Sequence, residues 1–173
     1  MRWFSIGLNI LLFKTVWFSG AIFANQGLWV AIPASFTMFY FSNNKSLDIQ
    51  LACRIVLLAL LSDGILFQLD IISAPQSVHF ILPLWLWCIW LAFSLTLLNA
   101  LSFAFKNIYL ACLLGAIFGP LSYWSGSQLG AINFAYSTHT VIAIYALLWS
   151  AIMAFLTVEI KRLKNNQLKR KPA

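Results

Sequence analysis

Charge is scarce in this sequence, and the scarcity is its first constraint. Charged residues make up 9% of the 173 and hydrophobic residues 62%, against about 25% charged in an ordinary soluble domain. Too few charges exist to cover a water-facing surface, so lipid is the natural solvent for most of it. Cysteine is sparse and unpatterned. Cys53, Cys88 and Cys112 are odd in number, lie in apolar stretches and show no C-x-x-C spacing, so they read as small apolar residues without a redox role. Gly-x-Ser-x-Gly, a Ser-His-Asp arrangement and paired catalytic carboxylates are also missing. No catalytic residue and no cofactor is expected. Asp70, His79 and His139 are residue types that ligate metal, but the two histidines sit on different loops without helical or hairpin spacing, so no metal is expected either.

What charge there is has a strong bias, with a net of +7. In a soluble protein such a balance would suggest nucleic acid. The placement rejects that partner. Six of the eleven Lys/Arg fall in the tail "KRLKNNQLKRKPA", from Lys161 to Lys171. A basic tail behind an apolar segment is what the positive-inside rule leaves in the cytoplasm.

Six apolar segments follow one another, at about 3–24, 27–42, 48–70, 80–104, 107–129 and 138–160, judged against the ~20 residues that cross a bilayer. Arg2, Lys45, Lys106 and the tail then share one side, and the loops around Asn25–Gln26, Asp70–His79 and Tyr136–His139 carry no Lys or Arg. The fold class is therefore all-α: a polytopic membrane protein, a bundle of six transmembrane helices with both termini cytoplasmic. Residues 1–160 form a single transmembrane domain and 161–173 a basic cytoplasmic tail. Segment 27–42 is the weakest, because it is short and Pro33 interrupts it; a re-entrant hairpin would put Lys45 on the wrong side. Lys14 stands in the middle of the first apolar run, which favours an uncleaved helix over a signal peptide. Trp29, Trp85, Trp87 and Trp124 fall near the outer boundary and Trp3 near the inner one, while Trp17, Trp90 and Trp149 lie deeper, as helix-packing residues would.

Ionisable groups at bilayer depth need a reason, since each costs at least ~2.5–3.5 kcal/mol on insertion scales. Arg54 is close enough to the cytoplasmic end to snorkel. Lys14 and Asp63 lie deeper, at depths differing by ~5 Å, and an ion pair between them is expected; the other reading has both independently buried, with Asp63 protonated. Such a pair serves either helix pairing or a polar site. Asn9, Arg54 and Asn99 share a level about 9 Å from the cytoplasmic ends, where they line a cleft or make interhelical hydrogen bonds.

Four of the eight glycines cluster in "GAIFGPLSYWSGSQLGAINF", residues 115–134. A phosphate loop would need a lysine and a preceding strand, and neither is there. Gly115 and Gly119 form one G-x-x-x-G, Gly126 and Gly130 another, and both read as close helix contacts in lipid. Pro120 between them predicts a kink, with Ser122 and Tyr123 placed to meet a cavity.

The stretch "GPLSYWSGSQLGA" resembles the G-P-x-x-Y-x-x-G-x-x-L-G-A signature of an uncharacterised bacterial inner-membrane family, catalogued as domain of unknown function 2878. Further likeness lies in "LNILLFKTVWF", "LLSDGILFQLDII" and "LPLWLWCIWLAFSLTLLNAL". The matching positions are Asn9, Trp17, Asp63, Pro83, Trp85, Trp90, Thr96, Gly119, Pro120, Tyr123, Gly126 and Gly130. The family pattern has glutamine where Lys14 stands and histidine where Asn99 stands. The resemblance implies a bacterial inner-membrane location and no assigned activity. Three functions stay open on these residues: a small permease or lipid-handling carrier with a polar cavity lined by Asn9, Lys14, Asp63 and Tyr123; a membrane-embedded lipid-modifying enzyme; and a scaffold that binds another membrane protein or a second copy through its glycine face. The expected partners are the bilayer and a lipid or small-molecule substrate.

Overall fold

The computed structural model describes residues 2–75 and 82–170, with side chains from Ser5 onward and up to Lys169. His79 and Lys171, and the side chains of Arg2, Trp3 and Arg170, lie outside the described residues. The chain is all-α. Its helices are α1 (Arg2–Phe23), α2 (Leu28–Tyr40), α3 (Lys45–Gln68), α4 (Leu84–Ser94), α5 (Ile108–Gln128) and α6 (Thr138–Arg170). Asparagines start two of them: Asn44 accepts from the Leu47 amide at 3.2 Å and Asn107 from the Tyr109 amide at 2.9 Å, each satisfying a donor that a helix start leaves unpaired.

Among the described residues, four helical runs are long and apolar enough to cross a membrane: Ser5–Tyr40, Lys45–Gln68, Ile108–Gln128 and Thr138–Lys169. Their outer faces are what a bilayer solvates, with Trp29 88%, Leu147 76% and Leu61 65% exposed. The first run folds back on itself at the 3₁₀ turn Ala24–Gly27, so it is a hairpin of α1 and α2. A Cβ on Gly27 would collide with the Ser19 carbonyl, which is why this turn takes glycine. Val16, Ala31, Ala34, Met38, Ala92 and Leu95 form the small core between α1, α2 and α4; the alanines let the backbones approach. The larger core joins α3, α4, α5 and α6 around the fully buried Leu51, Ile55, Leu97, Tyr145 and Leu156.

Two expected segments are shorter than the sequence pattern indicates. Segment 27–42 is a helix of 13 residues and segment 80–104 contains one of only 11, about 20 Å and 17 Å long against a hydrocarbon core of about 30 Å. After Ser94 the backbone runs through successive turns to the 3₁₀ segment Ala104–Lys106. Local hydroxyls compete for the helix carbonyls there: Ser94 donates to Leu91 O at 2.6 Å and Thr96 to Phe93 O at 2.7 Å. Asn9 and Asn99 amides both donate to Leu95 O, at 3.2 and 3.0 Å. Irregular backbone at such depth persists only where protein supplies its partners, and the two asparagines do.

The ends of the bundle are tied separately. Asn44 donates to Gln167 at 3.0 Å, bringing the α2–α3 connection beside the basic end of α6. At the opposite end, β1 (Ile72–Ser73) pairs antiparallel with β2 (Asn133–Phe134), with Ile72 opposite Phe134. Lys45 and the basic tail therefore share one end, and Tyr136 and His139 belong to the other.

Candidate functional site

Asp63 is the most deeply placed charge-bearing residue, with no exposed surface. It lies in a π-helical turn, Leu60–Gly64, inside α3. Such turns widen a helix locally and re-aim one side chain. The carboxylate accepts three hydrogen bonds, one from each of three other helices. Trp90 Nε1 of α4 and Tyr123 Oη of α5 donate to Oδ2 at 2.7 and 2.5 Å, and Tyr145 Oη of α6 donates to Oδ1 at 3.1 Å. The rings stack in two pairs: Tyr123 on Tyr145 with centroids 3.6 Å apart, and Trp90 on Trp149 at 5.0 Å. An aromatic cage thus replaces water around the carboxylate.

The expected Lys14–Asp63 ion pair does not form. Among the described residues, the ion pairs are Arg54–Glu159 at 2.7 Å and Arg162–Glu159 at 3.4 Å. Asp63 is bonded by three aromatic donors instead, and Lys14 is exposed on the cavity described below. Arg54 also departs from expectation. Instead of snorkelling alone it binds Glu159 on α6 and donates to Gln50 O at 2.8 Å. It therefore leaves the Asn9–Asn99 level, where only the two asparagines meet, on the Leu95 carbonyl.

The glycines divide between two jobs. A Cβ on Gly115 would sit 2.6 Å from the Trp149 carbonyl, and one on Gly119 would run into the Trp149 indole. These two let α6 lie directly on α5. The second pair does not pack helices: nothing lies within 4 Å of a Cβ on Gly130, and on Gly126 it would meet only Ile132 at 3.7 Å. Gly130 has φ +75°, its N–H donates to Ser127 O at 3.1 Å, and Ala131 N–H donates to Gly126 O at 2.9 Å. That bond pattern is the Schellman end of α5. Pro120 is buried within α5, which stays helical through it.

A cavity of about 470 Å³ opens beside the cage. Helix α1 packs on α2 and α4, and α5 packs on α6, but α1 and α5 make no contact of that extent. The cavity is the cleft they leave. Phe13, Lys14 and Trp17 line one side, Gly119, Ser122 and Tyr123 the other, and Trp85, Trp90 and Trp149 also face it. One hydrogen bond spans the cleft, from Trp17 Nε1 to Ser122 Oγ at 2.7 Å. Two of the Asp63 donors, Trp90 and Tyr123, are therefore also cavity wall. The indole N–H of Trp149 is buried beside Tyr123.

Among the described residues no group of three His, Cys, Asp or Glu converges as a metal site would. Residues 6–155 match the family described as "Protein of unknown function (DUF2878)". The chain belongs to this family. No curated protein and no solved structure matches it. The family match contains the whole cage, the cavity and Lys14, and it stops before Glu159, the partner of Arg54.

Sequence reasoning reached Asp63 and Tyr123 but missed Tyr145 and gave Trp90 only a packing role. Depth was the available signal. Asp63 precedes Gln68, the end of α3, by five residues; Tyr123 precedes Gln128 by five; Trp90 follows Leu84 by six and Tyr145 follows Thr138 by seven. All four stand about 8–10 Å from the same face, and a buried Tyr or Trp needs a polar partner.

Proposed function

We propose that this chain is a lipid-handling carrier of the bacterial cytoplasmic membrane that takes one apolar chain out of the bilayer into the α1–α5 cleft. The observation that carries this reading is the cavity: about 470 Å³, within the ~300–1,000 Å³ of ligand pockets, walled by aromatic rings and glycine backbone. It lies between α1 and α5, which meet through the Trp17–Ser122 bond but pack far less closely than α1 on α2 or α5 on α6, and this leaves a ligand a lateral path from the membrane. In this reading the chain crosses six times with both termini in the cytoplasm. Helices α2 and α4 are the short crossings, α4 extended by the turns after Ser94, and the end carrying Lys45, Lys106 and the basic tail faces inward.

The other two functions have less support. A scaffold using Gly115 and Gly119 would need them free, and Trp149 covers both. An enzyme would need a nucleophile beside a base. Ser122, an aliphatic hydroxyl on the cavity wall, accepts its bond from Trp17, and no His or carboxylate bonds to it among the described residues.

Ala100 lines the cavity, so the ring added by Ala100→Phe should obstruct it. Native mass spectrometry of protein released from nanodiscs should show one single-chain lipid retained by the wild type and lost from a variant with unchanged thermal unfolding. Equal retention in both would overturn the carrier reading.

A further inference from the structure

We infer that the cleft selects a long-chain fatty acid, holding its carboxylate on the Lys14 ammonium and its chain along the aromatic wall. The inference rests on the lipid-handling reading and names its ligand class.

Lys14 is the observation that carries it. It follows Arg2 by twelve residues and precedes Phe23 by nine in α1, which places it near mid-bilayer, about 14–18 Å from either helix end. An ammonium at that depth is costly without an anion beside it. The chain contains four acids, and none is available to it. Asp63 is closed inside its cage. Asp48 accepts from Ser42 at the basic end, and Glu159 is held by Arg54 and Arg162. Asp70 lies beyond the far end of α3, exposed and next to β1. Yet Lys14 is exposed on the cavity rather than turned into a protein contact. A cation without an internal counter-ion, on the rim of an otherwise apolar cleft that opens to lipid, is complementary to an amphiphile with an anionic head.

The remaining lining narrows the head group. Besides Lys14, the polar side chains of the cavity are the neutral Thr96, Ser122, Tyr123 and the indoles. A phosphate monoester carries about −1.5 to −2 charges and three acceptor oxygens, and proteins meet it with several cations or a bidentate arginine. One lysine balances one negative charge. A carboxylate is the monoanion of matching size, with Ser122 one α5 turn from Gly119 as a neutral hydroxyl neighbour.

The test compares hexadecanoate, hexadecanol and a lysophosphatidate of equal chain length, titrated into the protein in zwitterionic nanodiscs and read by tryptophan fluorescence. The wild type should bind the acid at least about tenfold more tightly than the alcohol, the factor that one charge-assisted hydrogen bond supplies. Lys14→Met should remove that preference, while Lys14→Arg retains it; thermal unfolding no lower than that of the wild type shows that both variants are folded. Equal binding of acid and alcohol by the wild type, or a preference that survives Lys14→Met, would overturn the inference and leave the lipid-handling reading intact. Tighter binding of lysophosphatidate than of the acid by about tenfold would overturn the carboxylate assignment. Failure of every chain to bind would remove the carrier reading itself.

Discussion

Asp63 accepts bonds from Trp90, Tyr123 and Tyr145 and belongs to α3, so one side chain ties four helices together. Removing the acceptor leaves three buried donors unpaired, each worth about 1–3 kcal/mol. Removing one donor leaves the carboxylate two others, and single hydrogen bonds between membrane helices average only about 0.6 kcal/mol. Asp63→Ala should therefore lower stability by about 3 kcal/mol or more, and Tyr145→Phe by about 1 kcal/mol or less, in reversible unfolding from mixed micelles. Lys14→Met should not lower stability, because Lys14 has no hydrogen-bond or ion-pair partner among the described residues; a loss as large as that of Asp63→Ala would restore the ion pair between them. The importance of Asp63 was legible from sequence because an acid inside an apolar run stands out. Its partners were not, since a buried acid points first to an opposite charge, whereas the cage is made of ring N–H and O–H groups, which look like packing residues in a sequence.

Within α5, identical spacings do different work. Gly115 and Gly119 face Trp149 of α6, whereas Gly126 and Gly130 close the helix. Sequence alone cannot separate two G-x-x-x-G repeats; what separates them is that the second straddles the point where the helix stops, and Gly130 takes a left-handed φ of +75°. Gly130→Ala should thus cost about 1–2 kcal/mol from backbone strain, while Gly126→Ala should be close to neutral, because its Cβ meets Ile132 at an ordinary 3.7 Å. Gly119→Ala should be the most damaging of the three, as it displaces the Trp149 ring. Thermal unfolding of the three variants checks this ranking; Gly126→Ala proving worse than Gly130→Ala would mean that the second pair packs helices after all. The same scale explains the shortened α4. The run from Leu95 to Phe103 is apolar enough to read as helix, but Ser94 and Thr96 turn their hydroxyls onto local carbonyls, and Asn9, distant in sequence, holds the carbonyl of Leu95.

At the scale of the molecule, hydropathy and charge placement made the all-α membrane architecture and the common end of Lys45 and the basic tail legible. Asn44–Gln167 and the β1–β2 pairing are consistent with that arrangement. The cavity was not legible in detail. It exists because α1 follows α2 and α4 while α5 follows α6, a pairing of helices that hydropathy does not encode. Its wall is built from the residues that cage Asp63, so the buried polar centre shapes the surface that a ligand would meet.

The central claim, that this cleft holds one apolar chain, is tested most directly by quenching. Trp17, Trp85, Trp90 and Trp149 line the cavity, so a chain carrying bromine atoms midway along its length should quench them on entry. In nanodiscs of unbrominated lipid, the quenching of wild type should saturate at one brominated chain per protein, and Ala100→Phe should abolish the saturable part. Quenching that rises without saturation, identically in both proteins, would mean that the chain stays in the bilayer and would contradict the account.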